Sequence, residues 1–272
     1  MRGTTLLVLA WCRFIGVPFG LVYEVMNEMR FYWRFVRLTG KLLIGLWISI
    51  TSFARGDSPR RHAIIRKWSR EQLLLAGIEV RAIGFPTDSE RPVTLVANHV
   101  SWADIFALNT QRACHFIAKA ELRKWPLAGH LLANVGTIFI NRSDRRETHR
   151  LKRVVHELLE AGETVAVFPE GTTSIGHDVL KFHASLLEPI VASGGEVWVV
   201  AIRYFSGKDN RRTDTAAYIG DMSLLESLKS IHRHAPIIAE LRFVEAIDCA
   251  GLTRREVAQR AEAAIRAVIK VA

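Results

Sequence analysis

Short apolar runs alternate with helical patterns along the chain from residue 93 onwards. The runs have the length and the bounding polar turns of buried strands, and they occupy residues 93–97, 114–118, 137–140, 165–168 and 197–202. The stretch that ends at Gly162 instead carries apolar side chains at helical spacing, namely Leu151, Val154, Val155, Leu158 and Leu159. Thr253 and Glu256 form a capping-box pattern that predicts a helix from there to the end of the chain. This alternation predicts an α/β fold with a largely parallel or mixed central sheet flanked by helices.

The first 54 residues are more apolar than the start of an ordinary soluble domain. Residues 4–23 are apolar apart from Arg13, and residues 42–54 form a second apolar run with basic residues on both sides. Arg13 and Pro18 interrupt the first run, and the second is shorter than the ~20 residues that cross a bilayer. We therefore expect a monotopic, helical membrane-anchoring segment over residues 1–70 and a catalytic domain over residues 71–272. A cleaved signal peptide and a helical pair packed on the domain stay open as alternatives.

Charge and cysteine content narrow the choice of partners. The net charge of +10 favours an anionic partner, either lipid head groups or an acidic acyl carrier protein. The basic clusters adjoin the apolar segments and no nucleic-acid-binding motif is recognisable, so we expect no nucleic acid partner. Cys12, Cys114 and Cys249 are too far apart for a disulfide framework or a zinc site. The sequence therefore predicts reduced thiols and no bound metal. It contains no cofactor motif, so we expect no cofactor. We expect the protein on the cytoplasmic face of the cytoplasmic membrane.

A histidine and an aspartate follow the strand at residues 93–97. His99 lies in the turn after that strand, and the Ser101-x-x-Asp104 pattern predicts the start of a helix. A carboxylate in the first helical turn can accept the Nδ1 proton of the imidazole, which leaves Nε2 available as a base. Such a pair deprotonates a hydroxyl group without any serine or cysteine nucleophile. The alternative is that Asp104 only caps its helix and that His99 is only a hydrogen-bonded part of the scaffold.

A second polar turn follows the strand at residues 165–168. Glu170, Gly171 and Thr172 come after Pro169 at the carboxyl end of this strand, where α/β folds place their ligands. Gly171 lets a ligand approach the backbone, and Glu170 can bind a substrate hydroxyl or pair with a basic side chain. The alternative is that Pro-Glu-Gly is an ordinary turn.

Four blocks in this order resemble the glycerolipid acyltransferase family, whose best-known members are 1-acyl-glycerol-3-phosphate acyltransferases. The His-x4-Asp block is Asn98–Asp104, a stretch starting Lys119-Ala-Glu-Leu follows, and the other two blocks are Gly136–Arg142 and Phe168–Thr172. The resemblance covers residues 92–205 and implies an α/β catalytic domain. It also implies transfer of a fatty acyl group from acyl-CoA or acyl-acyl carrier protein to the free hydroxyl of a lysolipid.

The resemblance also assigns roles to single residues. His99 would be the catalytic base and Asp104 the residue that orients it. Arg142 would hold the anionic group of the acceptor, with Lys119 as the second candidate for this role. Glu170, Gly171 and Thr172 would position the glycerol-like part of the acceptor. We therefore expect these seven residues to form the substrate and catalytic site.

The chain departs from the family pattern at Thr173, where most members have arginine. The commonest acceptor of the family is 1-acyl-sn-glycerol-3-phosphate, which gives phosphatidate, and we rank it first. The alternative acceptor is a lyso-ornithine lipid, because the acyltransferases for that lipid resemble this chain in having Thr or Ser at the same position. The block at residues 196–202 also lacks the proline that is usual there.

Two other classes of function also fit part of the sequence. A non-enzymatic membrane-surface protein that binds lipid would need the apolar start and the basic charge, but not His99, Asp104 and Glu170 at strand ends. A thioesterase would use the same base with water in place of the lysolipid. A comparison of thiol release with lipid product separates these classes from an acyltransferase.

Overall fold

A seven-stranded mixed sheet lies at the centre of the computed structural model, which describes residues 18–52, 58–85, 93–126, 128–141 and 145–271. Its strands run in the order β1-β7-β6-β2-β5-β3-β4. The strands are β1 (Ile78–Ile83), β2 (Val93–Ala97), β3 (Cys114–Lys119), β4 (Ile138–Ile140), β5 (Thr164–Val167), β6 (Glu196–Ser206) and β7 (Ile237–Asp248). Neighbouring strands are parallel except β6 and β7, which are antiparallel. The predicted α/β class with a largely parallel or mixed sheet is confirmed.

The five predicted strands are all present, whereas β1 and β7 escaped prediction. Their sequences lack a continuous apolar run, since one face of this end of the sheet carries charged side chains. Arg81 of β1 pairs in register with Glu240 of β7, and Arg242 lies two residues further on. The guanidinium of Arg203 on β6 bonds Glu240 from the other side. Because these charged residues interrupt the apolar pattern, β1 and β7 could not be recognised as strands from the sequence.

Helices cover both faces of the sheet and divide the interior into two apolar cores. All five residues of β2 are buried, and alternate side chains such as Leu95 and Val96 enter opposite cores. The α-helices of the described ranges are α1 (Phe19–Ser52), α2 (Ser58–Ala76), α3 (Ala103–Gln111), α4 (Ala128–Asn134), α5 (Arg145–Glu160), α6 (Glu188–Ala192), α7 (Leu224–His234) and α8 (Arg254–Lys270).

Two predicted helices have the features that their sequences indicated. The buried face of α5 consists of Leu151, Val155 and Leu159, and the helix is followed by Gly162 with φ of +78°. Thr253 caps α8, because its hydroxyl accepts the Glu256 N–H and the Glu256 carboxylate accepts the Thr253 N–H. Both reciprocal bonds of the capping box are therefore present.

The N-terminal helix α1 packs on the domain along one face. Phe31 is buried with its ring 5.5 Å from that of His232, and the Arg34 guanidinium lies 3.1 Å from His232 Nδ1. Further along, a Cβ on Gly45 would come within 2.7 Å of Trp68 Nε1, so glycine permits the close approach of α1 and α2. The predicted boundary after residue 70 falls within α2. None of the helices in the described ranges combines the length and the apolar character needed to cross a membrane.

The opposite face of α1 is apolar and exposed. Side chains three or four residues apart share one side of a helix, and here they form a continuous stripe of Leu21, Val25, Met29, Tyr32, Val36, Leu43, Trp47 and Ile50. We call these eight residues the α1 stripe. The helical pair packed on the domain, given above as an alternative, is therefore present along one face of α1, while the α1 stripe is exposed. Most of the first predicted apolar run lies outside the described residues.

A buried carboxylate fastens the start of α2 to the sheet. Glu163 precedes β5 and accepts bonds from Ser58 and Arg61, at 2.8 and 2.5 Å, and lies 2.7 Å from His62 Nε2. Burial by itself would raise the pKa of Glu163, but the hydrogen bonds from Ser58 and His62 and the charges of His62 and Arg61 lower it to about 2. The contribution of Glu163 to stability is therefore complete above its ordinary pKa of 4.5 and is lost as the pH falls towards 2.

Substitution Glu163→Gln is expected to lower the free energy of unfolding at pH 7 by about 1–3 kcal/mol, because its half-buried partners lose a charged acceptor. The difference from wild type should be smaller at pH 3, because that pH lies between the lowered and the ordinary pKa and part of the stabilisation is already lost. Urea unfolding at the two pH values measures both effects. Glu157→Gln on the exposed face of α5 is the control and should change little. An equal difference at both pH values would contradict this account.

Candidate active site

His99 lies in the turn between β2 and α3, and the polar residue before it holds that turn in place. The Asn98 side chain accepts the N–H of Ile202 at 2.7 Å and donates to its carbonyl at 3.0 Å. The Asn98 amide therefore forms the same two hydrogen bonds with β6 that the backbone of a neighbouring strand would form. These bonds hold the end of β2 in a fixed position relative to β6. The His99 side chain is 17% exposed, which leaves one edge of the ring accessible.

Asp104 is completely buried in the first turn of α3 and contacts His99 directly. Its Oδ2 lies 2.8 Å from His99 Nδ1 and accepts the N–H groups of Val100 and Ser101 at 2.7 and 2.8 Å. A carboxylate that accepts from Nδ1 selects the tautomer in which Nε2 is unprotonated. His99 Nε2 has no hydrogen-bond partner within the part of the chain that the structure describes. The two residues have the geometry of an oriented base.

The predicted capping box at Ser101 is present only in part. The Asp104 carboxylate accepts the Ser101 N–H, but the Ser101 hydroxyl accepts the N–H of Ala103 at 3.3 Å rather than that of Asp104. The helix accordingly begins at Ala103, two residues after the predicted cap. Asp104 is thus a capping residue and a partner of His99 at the same time, because one oxygen atom accepts both kinds of donor.

An aromatic stack determines the plane of the His99 ring. The Phe168 ring lies parallel to it at 4.0 Å with an interplanar angle of 10°, and Phe116 stacks behind Phe168 at 5.9 Å. Phe168 directly follows β5, and Phe116 is on the neighbouring strand β3. The stack and the Asp104 bond together leave the imidazole little rotational freedom.

Glu170 connects the two predicted turns. Its carboxylate is 3% exposed, and its oxygens accept the backbone N–H groups of His99 at 2.8 Å and Leu180 at 3.1 Å. Burial raises the pKa of Glu170, although the bonds from His99 and Leu180 oppose this effect. In the structure Glu170 therefore binds the loop that carries His99, and its expected contact with an acceptor stays a prediction.

Three of the four remaining predicted substrate residues lie around the same end of the sheet as His99. Gly171 has φ of +71°, a left-handed conformation that glycine adopts without strain, and Thr172 after it is exposed. Lys119 is exposed at the end of β3, two positions from β2 across the sheet. Arg142 lies outside the described residues, so its predicted role has no structural counterpart.

Thr173 is part of a contact that closes one side of the site. Its hydroxyl donates to the carbonyl of Tyr218. The N–H of Tyr218 in turn donates to the carbonyl of Val100 at 2.9 Å. The next residue, Ser174, donates its N–H to the His99 carbonyl at 2.8 Å. The loops after β2, β5 and β6 are therefore joined by backbone bonds around His99.

Tyr204 is the functional candidate that the sequence did not reveal. Its hydroxyl donates to Asp104 Oδ1 at 2.6 Å from the end of β6. A polar aromatic residue at the carboxyl end of an apolar strand is the signal that points to it in hindsight. Among the described residues there is no cluster of three or more His, Cys, Asp or Glu side chains that could hold a metal ion.

Comparisons with known proteins identify the family of this chain. The family model named Acyltransferase matches residues 78–204. A lyso-ornithine lipid O-acyltransferase from Pseudomonas aeruginosa is 34% identical over 247 residues, which cover 89% of this chain and 94% of that protein. A 1-acyl-sn-glycerol-3-phosphate acyltransferase from Neisseria gonorrhoeae is 38% identical over 178 residues, which cover 65% of this chain and 69% of that protein.

The fold has also been seen in a crystal structure. The 1-acyl-sn-glycerophosphate (LPA) acyltransferase PlsC from Thermotoga maritima superimposes with a TM-score of 0.67 and 23% sequence identity. The superposition covers 91% of this chain and 96% of that one. The shared fold therefore includes the N-terminal helices as well as most of the sheet.

Proposed function

Since the chain belongs to the acyltransferase family, we propose that it transfers a fatty acyl group from a thioester to the free hydroxyl of a lysolipid, with His99 as the general base. The observation that carries the proposal is the His99–Asp104 pair. Asp104 accepts the Nδ1 proton at 2.8 Å, and the ring edge bearing Nε2 is the part of His99 that a substrate can reach.

The chemistry needs no covalent enzyme intermediate. His99 Nε2 takes the hydroxyl proton of the acceptor while the hydroxyl oxygen attacks the thioester carbonyl. The tetrahedral intermediate then collapses, the carbon–sulfur bond breaks, and the leaving thiolate takes the proton back from His99. Asp104 stabilises the imidazolium that exists between these two steps.

The two cysteines among the described residues, Cys114 and Cys249, do not suit a nucleophilic role. Burial raises the pKa of Cys114 and, with the nearby charge of Asp248, raises that of Cys249 to about 11. A thiol is reactive as its thiolate, so neither group is activated at neutral pH. This supports direct transfer to the acceptor.

The oxyanion of the intermediate needs hydrogen-bond donors close to His99. Several backbone N–H groups in the two turns are already occupied, because those of Val100 and Ser101 donate to Asp104 and that of Gly171 donates to the Phe168 carbonyl. We propose that the donor comes from a neighbouring position, the N–H of Thr172 in the turn after Gly171.

We infer that the acceptor is a lysolipid whose head group is less anionic than a phosphate monoester. The Thr173 hydroxyl is engaged with the Tyr218 carbonyl, so this position offers an acceptor no cation. A phosphate monoester carries close to two charges and is matched best by more than one guanidinium. The relative that matches over nearly its whole length acts on a lyso-ornithine lipid, which favours that acceptor. Lysophosphatidate, ranked first from sequence, is the substrate class of the relative with 38% identity.

A comparison of the two acceptors decides between them. We expect kcat/KM to be at least tenfold higher for lyso-ornithine lipid than for lysophosphatidate in the same vesicles. Thr173→Arg should shift the ratio towards lysophosphatidate, because it places a guanidinium beside the acceptor head group. The control Ala250→Arg adds the same charge at an exposed position after β7, at the opposite end of the sheet from His99. A clear preference of wild type for lysophosphatidate that Thr173→Arg leaves unchanged would overturn the inference.

The α1 stripe supports a location on the membrane surface. It lies on the side of α1 facing away from the domain, and the exposed basic residues Arg30 and Arg37 are beside it. Apolar side chains enter the acyl region while basic side chains bind anionic head groups. We propose that the enzyme takes its acceptor from the cytoplasmic face of the membrane and its acyl group from acyl carrier protein or CoA. An assay with both carriers distinguishes the donors.

A further inference from the structure

Tyr204 is the last buried residue of β6, and its hydroxyl donates a hydrogen bond to Asp104 in the first turn of α3. The two residues are 3% and 0% exposed. The donors from His99, Val100 and Ser101 converge on Asp104 Oδ2, whereas the Tyr204 hydroxyl donates to Oδ1 at 2.6 Å. Within the described residues, the Tyr204 hydroxyl is therefore the donor that serves the second carboxylate oxygen.

We propose that Tyr204 is a positioning residue for the transfer reaction, which holds the Asp104 carboxylate in the orientation that directs Oδ2 at His99. The inference rests on the proposed role of His99 as the general base. A buried carboxylate oxygen without a donor is unfavourable. Without Tyr204, the carboxylate therefore rotates or shares the His99 proton more strongly, and either change disturbs the base.

Two features of the surroundings make Tyr204 suitable for this role. The Asn98 side chain bonds Ile202, two residues earlier on β6, so the end of the strand has a fixed position relative to the His99 turn. Burial, assisted by the charge of Asp104, raises the pKa of the Tyr204 phenol well above its ordinary value. The hydroxyl thus stays a donor over the whole range in which the enzyme is assayed.

The variant Tyr204→Phe removes the hydroxyl and keeps the ring. We expect kcat to fall about 10- to 100-fold with KM nearly unchanged, in line with the loss of a hydrogen bond to a charged group. The acid limb of the pH–kcat profile should move to higher pH, because a carboxylate with fewer donors holds the His99 proton more tightly. Among the described residues, the titratable groups that contact His99 are Asp104 and Glu170. Both are unchanged in this variant.

The control Val200→Ala makes a cavity in the same core, on the same strand. It should lower the melting temperature and leave kcat and the acid limb as in wild type. A merely structural role of Tyr204 predicts that Tyr204→Phe behaves like this control. A loss of kcat with an unmoved acid limb, or wild-type kcat, would therefore overturn the proposal.

A second readout does not depend on turnover. The His99 Nδ1 proton, observed by NMR with labelled histidine, should move to lower field in Tyr204→Phe and stay in place in Val200→Ala. If the wild-type protein forms no lipid ester with any acceptor, the proposed function fails. The proton resonance then decides the role of Tyr204 alone, since an unchanged resonance overturns it and a displaced one supports it.

Discussion

Substitution His99→Ala is expected to reduce lipid product formation by about 10²- to 10⁴-fold, which is the usual effect of losing a general base. The ring is partly exposed at the site and stacks on Phe168, so its removal leaves no large core cavity. We therefore expect the melting temperature to change little. Turnover and thermal unfolding of the same preparation measure both quantities.

Two further variants test whether the loss of turnover depends on the His99–Asp104 pair. Asp104→Asn keeps an acceptor for the neighbouring N–H groups but removes the negative charge, so its loss of turnover should be smaller than that of His99→Ala. His149→Ala removes an exposed imidazole from α5 and should behave as wild type. Near wild-type turnover of His99→Ala with an unchanged melting profile would show that another group is the base.

Charges on the α1 stripe should release the enzyme from membranes. In the double variant Leu43→Glu with Trp47→Glu, two exposed apolar side chains become charged without disturbing the packed face of α1. Each large apolar side chain contributes about 1.5–3 kcal/mol on burial, so vesicle binding should weaken by roughly 100-fold or more. Flotation with vesicles of anionic lipid measures the bound fraction.

Point substitutions are better suited to this question than removal of the N-terminal segment. Phe31 and Gly45 pack against the domain, so a truncation would expose apolar surface on α2 and α7. The control Ala263→Glu with Ala267→Glu adds the same charge at exposed positions of α8. Equal flotation of the stripe variant and wild type would place the membrane contact elsewhere.

The sequence predicted the parts of the site that depend on local order. His99 and Asp104 are five residues apart, so the strand-to-helix turn alone brings them together. The strands at residues 93–97 and 165–168 could be recognised because strands buried on both faces are continuously apolar. Glu170 could be placed at a strand end for the same reason, although its bond to the His99 backbone needed the register of two neighbouring parallel strands.

Contacts between distant segments could not be predicted. Tyr204 is 100 residues from Asp104, and its local signal, a polar aromatic residue at the end of an apolar strand, does not indicate which residue its hydroxyl contacts. Thr173 could be recognised as a departure from the family, but its bond to Tyr218 depends on how a loop beyond β6 folds back. The two faces of α1 became distinct only when Phe31 was found against His232, because both faces are rich in apolar residues.

The ratio of lipid ester formed to thiol released tests the central claim most directly. Purified full-length protein is incubated with an acyl thioester and vesicles containing lyso-ornithine lipid or lysophosphatidate, and both products are measured in each sample. Direct transfer predicts close to one ester per thiol, with little thiol released when the lysolipid is omitted. Thiol released equally with and without lysolipid, and without lipid ester, would identify a thioesterase, and release of neither product would show that the protein is not an acyltransferase.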